Sequence, residues 1–191
     1  MAHVSIIGTG NMGQAIAAVA SRGGNTVELI GQSDADKQAT GDVVVLAVPY
    51  PAVSDVLASR ADSFAGKVVV DITNPLDFST FDSLTVPADS SAAAEIAAAL
   101  PNSRVLKAFN TTFAGTLAAG TVGPLTTTVL IAGDDSDAKA LLAGIVTAGG
   151  LRAVDAGSLR RARELEALGF LQLTLAAGEK ISWTGGFGLV D

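Results

Sequence analysis

Cysteine is missing altogether and histidine occurs once, as His3. That removes disulfides, thiolate nucleophiles, redox dithiols and every zinc site built from the usual Cys and His ligands, so no metal centre is expected. A serine triad would have to take its base from His3, three residues from the start. Aromatics are scarce, with one Trp, one Tyr and seven Phe, and basic side chains are outnumbered, 12 Lys+Arg against 19 Asp+Glu for a net charge of −7. A phosphate-backbone surface and base-stacking platforms both need what is scarce here, so nucleic acid is not an expected partner. The opening Met1-Ala2-His3-Val4-Ser5 sets no basic stretch ahead of a long apolar region, which speaks against a signal peptide. No apolar run reaches the roughly 18 residues that a membrane span requires. A cytoplasmic protein with no membrane partner is the expectation.

What the sequence does have is apolar mass: 49% of its 191 residues are hydrophobic and 16% are charged. A chain of this length buries roughly 70% of the surface its unfolded form exposes, enough for one globular domain with a short extension. Short β-branched runs at 4–7, 27–30, 43–48, 68–72, 105–109, 127–131 and 151–154 recur between Ala-rich stretches. Such runs lack strict alternation and read as strands buried on both faces. Apolar residues at helical spacing lie between them: Met12, Ile16, Val19 and Ala20; Val53, Val56 and Leu57; Leu141, Leu142, Ile145 and Val146. Gly23-Gly24 and Gly149-Gly150 mark helix ends, Pro51 a first turn, and Ser90-Ser91 an N-cap. Strand and helix in alternation predict an α/β fold, a doubly wound parallel sheet covered on both faces, over residues 1–157. Between the second and third strands only 32–41 remain, fewer than the dozen a parallel crossover usually spends, so that connection reads as a loop or a single turn.

The composition changes after Gly157. Arg160, Arg161 and Arg163 open a segment that becomes apolar nearly all round, through Leu165, Leu168, Phe170, Leu171, Leu173 and Leu175. A helix without a polar face needs cover. Residues 158–191 are therefore expected to form a helical extension that closes the active site and, through the 158–180 helix, pairs two copies of the chain. The alternative is a helix folded wholly onto its own domain. The three arginines read as a solvated face or a dimer contact.

Gly8-Thr9-Gly10-Asn11-Met12-Gly13 fits G-x-G-x-x-G. It directly follows the first strand, opens the first helix and starts a βαβ unit, which is the context this motif demands. Gly8 permits the tight turn, Gly10 lets the backbone approach a pyrophosphate, and Gly13 lets the helix pack closely. The helix N-terminus then presents free N–H groups to the phosphates, the Rossmann mode of holding a dinucleotide. Which dinucleotide depends on the tip of the second strand, where an acidic residue would favour a free ribose 2′-hydroxyl. Glu28 lies early in that strand and its tip, Gly31-Gln32-Ser33, is neutral. With Ser33 and Lys37 able to meet a 2′-phosphate, NADP is expected, although Asp34 and Asp36 are close by and NAD is the alternative.

Ligands of open parallel sheets bind beyond the carboxyl ends of the strands. Three more strand ends should converge there: Ala47-Val48-Pro49-Tyr50, Asp71-Ile72-Thr73-Asn74-Pro75 and Lys107-Ala108-Phe109-Asn110-Thr111. Asn74 and Asn110 stand where a nicotinamide ring would extend from the pyrophosphate. Each reads equally well as a turn-forming Asn.

These segments, with Asp89-Ser90-Ser91-Ala92-Ala93 and Val154-Asp155-Ala156-Gly157, resemble the deazaflavin-dependent NADP oxidoreductases and their bacterial dinucleotide-binding relatives, over nearly the whole chain. The nucleotide domain is also similar to the NADPH-binding part of transmembrane ferric reductases. The resemblance implies pyrophosphate at Gly10, Asn11 and Met12, and a 2′-phosphate at the pair matched here by Gln32-Ser33. It further implies a small redox substrate, a flavin or deazaflavin, that exchanges hydride with the nicotinamide directly. Such a reaction depends on distance and orientation more than on acid–base groups. Asn110, and with it Lys107, are the catalytic candidates, Lys107 having a structural salt bridge as its alternative. Reduction of a carbonyl or imine would need a proton donor, for which Lys107, Tyr50 or water is on offer. Trp183 reads either as a wall of the second-substrate pocket or as an anchor for the tail. A non-catalytic NADP(H)-binding redox sensor is the reading from another class.

Overall fold

The structure, a computed structural model, describes residues 1–34 and 37–190. Asp36, weighed above as a neighbour of the nucleotide loop, lies outside the described residues. In chain order come β1 (His3–Ile7), α1 (Asn11–Arg22), β2 (Thr26–Ile30), β3 (Val43–Leu46), α2 (Val53–Arg60), β4 (Val68–Asp71), α3 (Ala92–Ala99), β5 (Arg104–Lys107) and α4 (Ala114–Ala119). They are followed by β6 (Thr121–Val122), β7 (Leu125–Thr126), β8 (Thr128–Gly133), α5 (Ser136–Ala148), β9 (Arg152–Gly157) and α6 (Ala162–Ala177).

Seven strands form one sheet in the order β2-β1-β3-β4-β5-β8-β9, and β6 and β7 make a separate antiparallel hairpin. β1 to β5 pair in parallel, with β1 between β2 and β3, so the first strand ends at the crevice where the chain reverses its direction of winding. Val43, Val44, Val45, Val68, Val69 and Val70 are all buried. Alternate residues of these strands serve two apolar clusters, one beneath α1 and α5 and the other containing Val53 of α2 and Ile96 of α3. This burial on both faces is the reason the strands carry no polar alternation.

The sheet is mostly parallel, as expected, with one antiparallel pairing. β5 and β8 are antiparallel, with Lys107 opposite Ala132, and β8 then pairs in parallel with β9. A parallel neighbour of β5 would need a crossover back to the amino edge. α4 has only 6 residues, about 9 Å of rise, and cannot make that journey. The chain instead turns through the hairpin and enters β8 from the carboxyl edge.

The helix ends expected at Gly23, Ser91 and Gly149 are present, and Asp135 adds a cap not singled out in the sequence. Ser91 accepts from the Ala94 N–H at 3.0 Å and Asp135 from the Ala138 N–H at 2.7 Å, capping α3 and α5. Among the described residues the connection between β2 and β3 contains no helix. It is tied down by Glu28, which accepts from Ser5, Thr40 N–H and Thr40 hydroxyl, and by Arg60, which donates to the carbonyls of Lys37 and Asp34.

α6 departs from the uniform burial expected of it. Its inward stripe is Ala162, Leu165, Glu166, Gly169, Gln172 and Ala176, while Leu171 is 49% exposed. Two polar side chains are buried and part of the leucine surface is left uncovered.

Candidate active site

The glycine turn between β1 and α1 is shaped by three distinct demands. Gly8 has φ +115°, and a Cβ there would stand 2.1 Å from the Ala47 carbonyl oxygen. A Cβ on Gly13 would stand 2.1 Å from the Gly8 carbonyl oxygen, so α1 can sit this close to the turn only without one. Gly10 differs: its φ is an ordinary −71°, and a Cβ would meet nothing within 4 Å. The space in front of Gly10 is open, as a cradle for a ligand requires.

α1 starts at this cradle with Gly10 as N-cap, no side-chain cap and no acidic residue in its first turn. Gln14 N–H already reaches back to the Gly10 carbonyl, so the N–H groups of Asn11, Met12 and Gly13 ahead of it lie beyond the helical ladder. They offer donors and positive dipole to an anion.

The tip of β2 lies beside the turn. Asp34 Oδ2 accepts from the Gly31 N–H at 2.8 Å, while Gln32 and Ser33 are exposed. Lys37, matched above to a 2′-phosphate, sits 3.6 Å from the Glu28 carboxylate. Burial works to raise the Glu28 carboxyl. The hydrogen bonds from Ser5 and Thr40, with Lys37, overcome it and bring the group down to about 2. Glu28 is thus engaged in holding β1, β2 and the loop together and is not free to meet a ribose.

The other carboxyl ends converge as expected. Tyr50 donates to Glu95, and burial together with that bond and the Glu95 charge pushes its phenol well above the usual range. Asn74 Nδ2 donates to the Asn110 carbonyl at 2.9 Å, and Asn110 Nδ2 donates to Asn74 Oδ1 at 2.9 Å and to the Leu165 carbonyl at 2.8 Å. Phe109, just before Asn110, has φ +62° in a conformation that is costly for a bulky side chain. Its buried ring holds it there and so aims Asn110 at Asn74. Asn110 Oδ1 and Thr73 Oγ1 are buried without a partner.

Lys107 is fully buried. Its ammonium lies 2.7 Å from Asp71, 2.8 Å from Glu166 and 2.6 Å from the Thr73 carbonyl oxygen. Glu166 also accepts from the N–H groups of Ala92 and Ala93, so one α6 side chain joins the start of α3 to the ends of β4 and β5. Burial pushes the Glu166 carboxyl up against the pull of Lys107. The salt bridge foreseen for Lys107 is present, and no face of the ammonium is left toward the cleft. Sequence reasoning missed Glu166 and Arg60; an acid set between Leu165 and Ala167 in an apolar helical run was the signal that could have found the first.

Between α1 and the C-terminal segment lies a cleft of about 460 Å³ that brings together Asn11, Met12, Asn74, Asn110, Phe113 and Trp183. Pro75, Ala108 and the 47–50 segment belong to the same carboxyl edge. Arg160, Arg161 and Arg163 are exposed, away from the residues lining this cleft.

A Rossmann sheet whose uncapped first helix opens onto such a cleft defines a dinucleotide-binding protein by class. A family model described as NADP oxidoreductase, coenzyme F420-dependent, matches residues 25–75. The F420-dependent NADP reductase of Methanocaldococcus jannaschii is 30% identical over 166 residues, 85% of this chain and 74% of that protein. The chain belongs to the F420-dependent NADP reductase family, and it is an NADP-dependent oxidoreductase. Over 59% of its length it is also 38% identical to the metalloreductase STEAP3 of Rattus norvegicus, of which it covers 22%. A crystal structure from Arthrobacter sp. FB24 aligns over 100% of both chains with TM-score 0.87 at 24% identity, a likeness that shows the fold. Family membership favours turnover over the non-catalytic sensor.

Among the described residues no helix is long and apolar enough to cross a membrane, and no group of three or more His, Cys, Asp and Glu could hold a metal.

Proposed function

We propose that the chain passes hydride between NADP and a deazaflavin-type acceptor in the cleft between α1 and the C-terminal segment. The observation that carries this reading is the open space before Gly10, at an uncapped helix start, continuous with a cleft walled by Asn74, Asn110, Phe113 and Trp183. Gly8, Thr9, Gly10 and Gly13 with the N–H groups of Asn11 and Met12 would hold the pyrophosphate. Gln32 and Ser33, with Lys37 if it leaves Glu28, would meet the 2′-phosphate. Ala47, Val48, Pro49 and Tyr50 would border the nucleotide, and Thr73, Asn74, Pro75, Ala108 and Asn110 the nicotinamide. The Asn74 and Asn110 amides, which line the cleft, would meet the nicotinamide carboxamide.

When bound, NADPH would supply a hydride, two electrons with one hydrogen; the acceptor's other hydrogen, the single proton of the reaction, would come from water. This chain's residues position two rings and exclude solvent. Tyr50 is committed to Glu95 and Lys107 to two carboxylates, so neither is free to donate a proton, which favours hydride exchange over carbonyl reduction. Lys107 is a positioning residue in this reading, holding the Thr73 carbonyl next to Asn74.

Residues 1–157 would act as the nucleotide domain, with 158–191 closing the cleft and pairing two copies through the uncovered face around Leu171. Light scattering should then give twice the chain mass; a monomer would remove the pairing. A cytoplasmic location belongs to the same proposal, and cell fractionation would check it. The reaction itself is tested by following NADPH absorbance with oxidised 5-deazariboflavin and FMN. Oxidation with the deazaflavin is expected; its absence with every acceptor would overturn the reading.

A further inference from the structure

Residues 178–188 return across the mouth of the cleft after α6 and are pinned at both ends. At one end the Lys180 N–H donates to the Leu175 carbonyl at 2.8 Å. At the other the Phe187 N–H donates to Oε1 of the buried Gln172 at 3.3 Å. A turn closed by the Gly185 N–H on the Ser182 carbonyl at 2.9 Å lifts Trp183 between these anchors. The turn presses on Gly115, where a Cβ would stand 2.9 Å from Thr184 Cγ2 and 3.1 Å from the Trp183 carbonyl oxygen. The path of the tail is thereby set by backbone contacts that do not use the indole.

The indole is placed where an anchor would not be. It lies 5.0 Å from the ring of Phe113, tilted by 55°, and remains 54% exposed while lining the cleft. An anchoring tryptophan buries its large apolar face. Here one side rests on Phe113, and the remainder borders both the cleft that holds Asn74 and Asn110 and a second hollow beside Ala176 and Ser182.

We propose that Trp183, backed by Phe113, is the wall against which the planar conjugated ring of the hydride acceptor stacks, fixing that ring opposite the nicotinamide. The proposal rests on the reading of the cleft as the hydride-transfer site. It names the occupant of its outer half, an aromatic heterocycle, and excludes from it an acceptor without a ring face. Stacking tolerates variation at the ring edge, so flavin and deazaflavin rings are both admitted, with affinity set by overlap.

Trp183 is the only tryptophan of the chain, so its fluorescence reports this one position. Titrating oxidised 5-deazariboflavin into the wild-type protein without NADPH should quench that fluorescence saturably. Trp183→Ala should raise the KM for the deazaflavin at least tenfold. It should leave the calorimetric Kd for NADPH within twofold and the melting temperature within 2 °C, and Trp183→Phe should restore most of the lost affinity. Absence of saturable quenching would overturn the proposal whether or not the wild type turns over. So would an unchanged deazaflavin KM, or equal loss of NADPH binding and thermal stability, which would make Trp183 a tail anchor. If quenching saturates but NADPH is not oxidised, the wall stands and the hydride reading fails.

Discussion

Gly10 and Gly13 stand three residues apart in one turn and answer to different constraints. At Gly13 a Cβ runs into the Gly8 carbonyl, so Gly13→Ala forces α1 away from the turn. That backbone clash should destabilise the protein by about 1–3 kcal/mol and weaken NADPH binding at the same time, as a lowered melting temperature and a raised calorimetric Kd would show. Lys107 gives a second test. Removing it leaves Asp71 and Glu166 facing each other, buried without a cation. Breaking such a cluster costs about 3–5 kcal/mol, so Lys107→Ala should lower the melting temperature by roughly 6–20 °C. A normal melting temperature with lost hydride transfer would contradict the positioning role and restore Lys107 as a chemical group.

The glycine turn was legible because its requirements are local: backbone geometry demands glycine at fixed offsets, and sequence displays them side by side. The Lys107 cluster was not, since Asp71, Lys107 and Glu166 meet only after three distant segments fold. The strained Phe109 was equally hidden, because no local pattern announces a bulky residue at positive φ.

At the level of elements, Glu28 joins two strands and a loop. Its carboxyl sits at about 2 in the folded state against an ordinary 4.5. A depressed carboxyl stabilises the fold fully above 4.5, and that contribution is lost as the pH falls from 4.5 toward 2. Its size is on the order of 2 kcal/mol once solvent screening is allowed for. Urea unfolding of wild type and Glu28→Gln should therefore differ most at neutral pH and converge below pH 4.5; a gap independent of pH would contradict this. The seven strands of the main sheet, the helix caps and the unhelical second connection could be read from composition and punctuation. Strand direction could not: β8 has the composition of its parallel neighbours, and only the short span available to α4 reverses it. The hairpin of β6 and β7 was missed although Gly123-Pro124 marks its turn. The periodicity of α6 was misjudged because leucines were counted, whereas its inward stripe is set by Gly169, Glu166 and Gln172, which touch the site.

For the whole molecule, the order β2-β1-β3 sets the reversal of the sheet at the glycine turn, and Trp183 and Thr184 of the returning tail line the cleft above it. A dinucleotide seated as proposed would span from the β2 tip to the Asn pair, and its affinity would then depend on the one place where a diphosphate must touch backbone. Gly10→Ala isolates that contact, because the free protein has room for the added methyl group and a backbone angle that accepts it. The decisive measurement is a calorimetric titration of NADPH into wild type and Gly10→Ala, with the melting temperature of each recorded beforehand. Unchanged or slightly raised thermal stability with affinity reduced at least tenfold is the expected result. Equal affinity in the two proteins would place the nucleotide elsewhere and contradict the site.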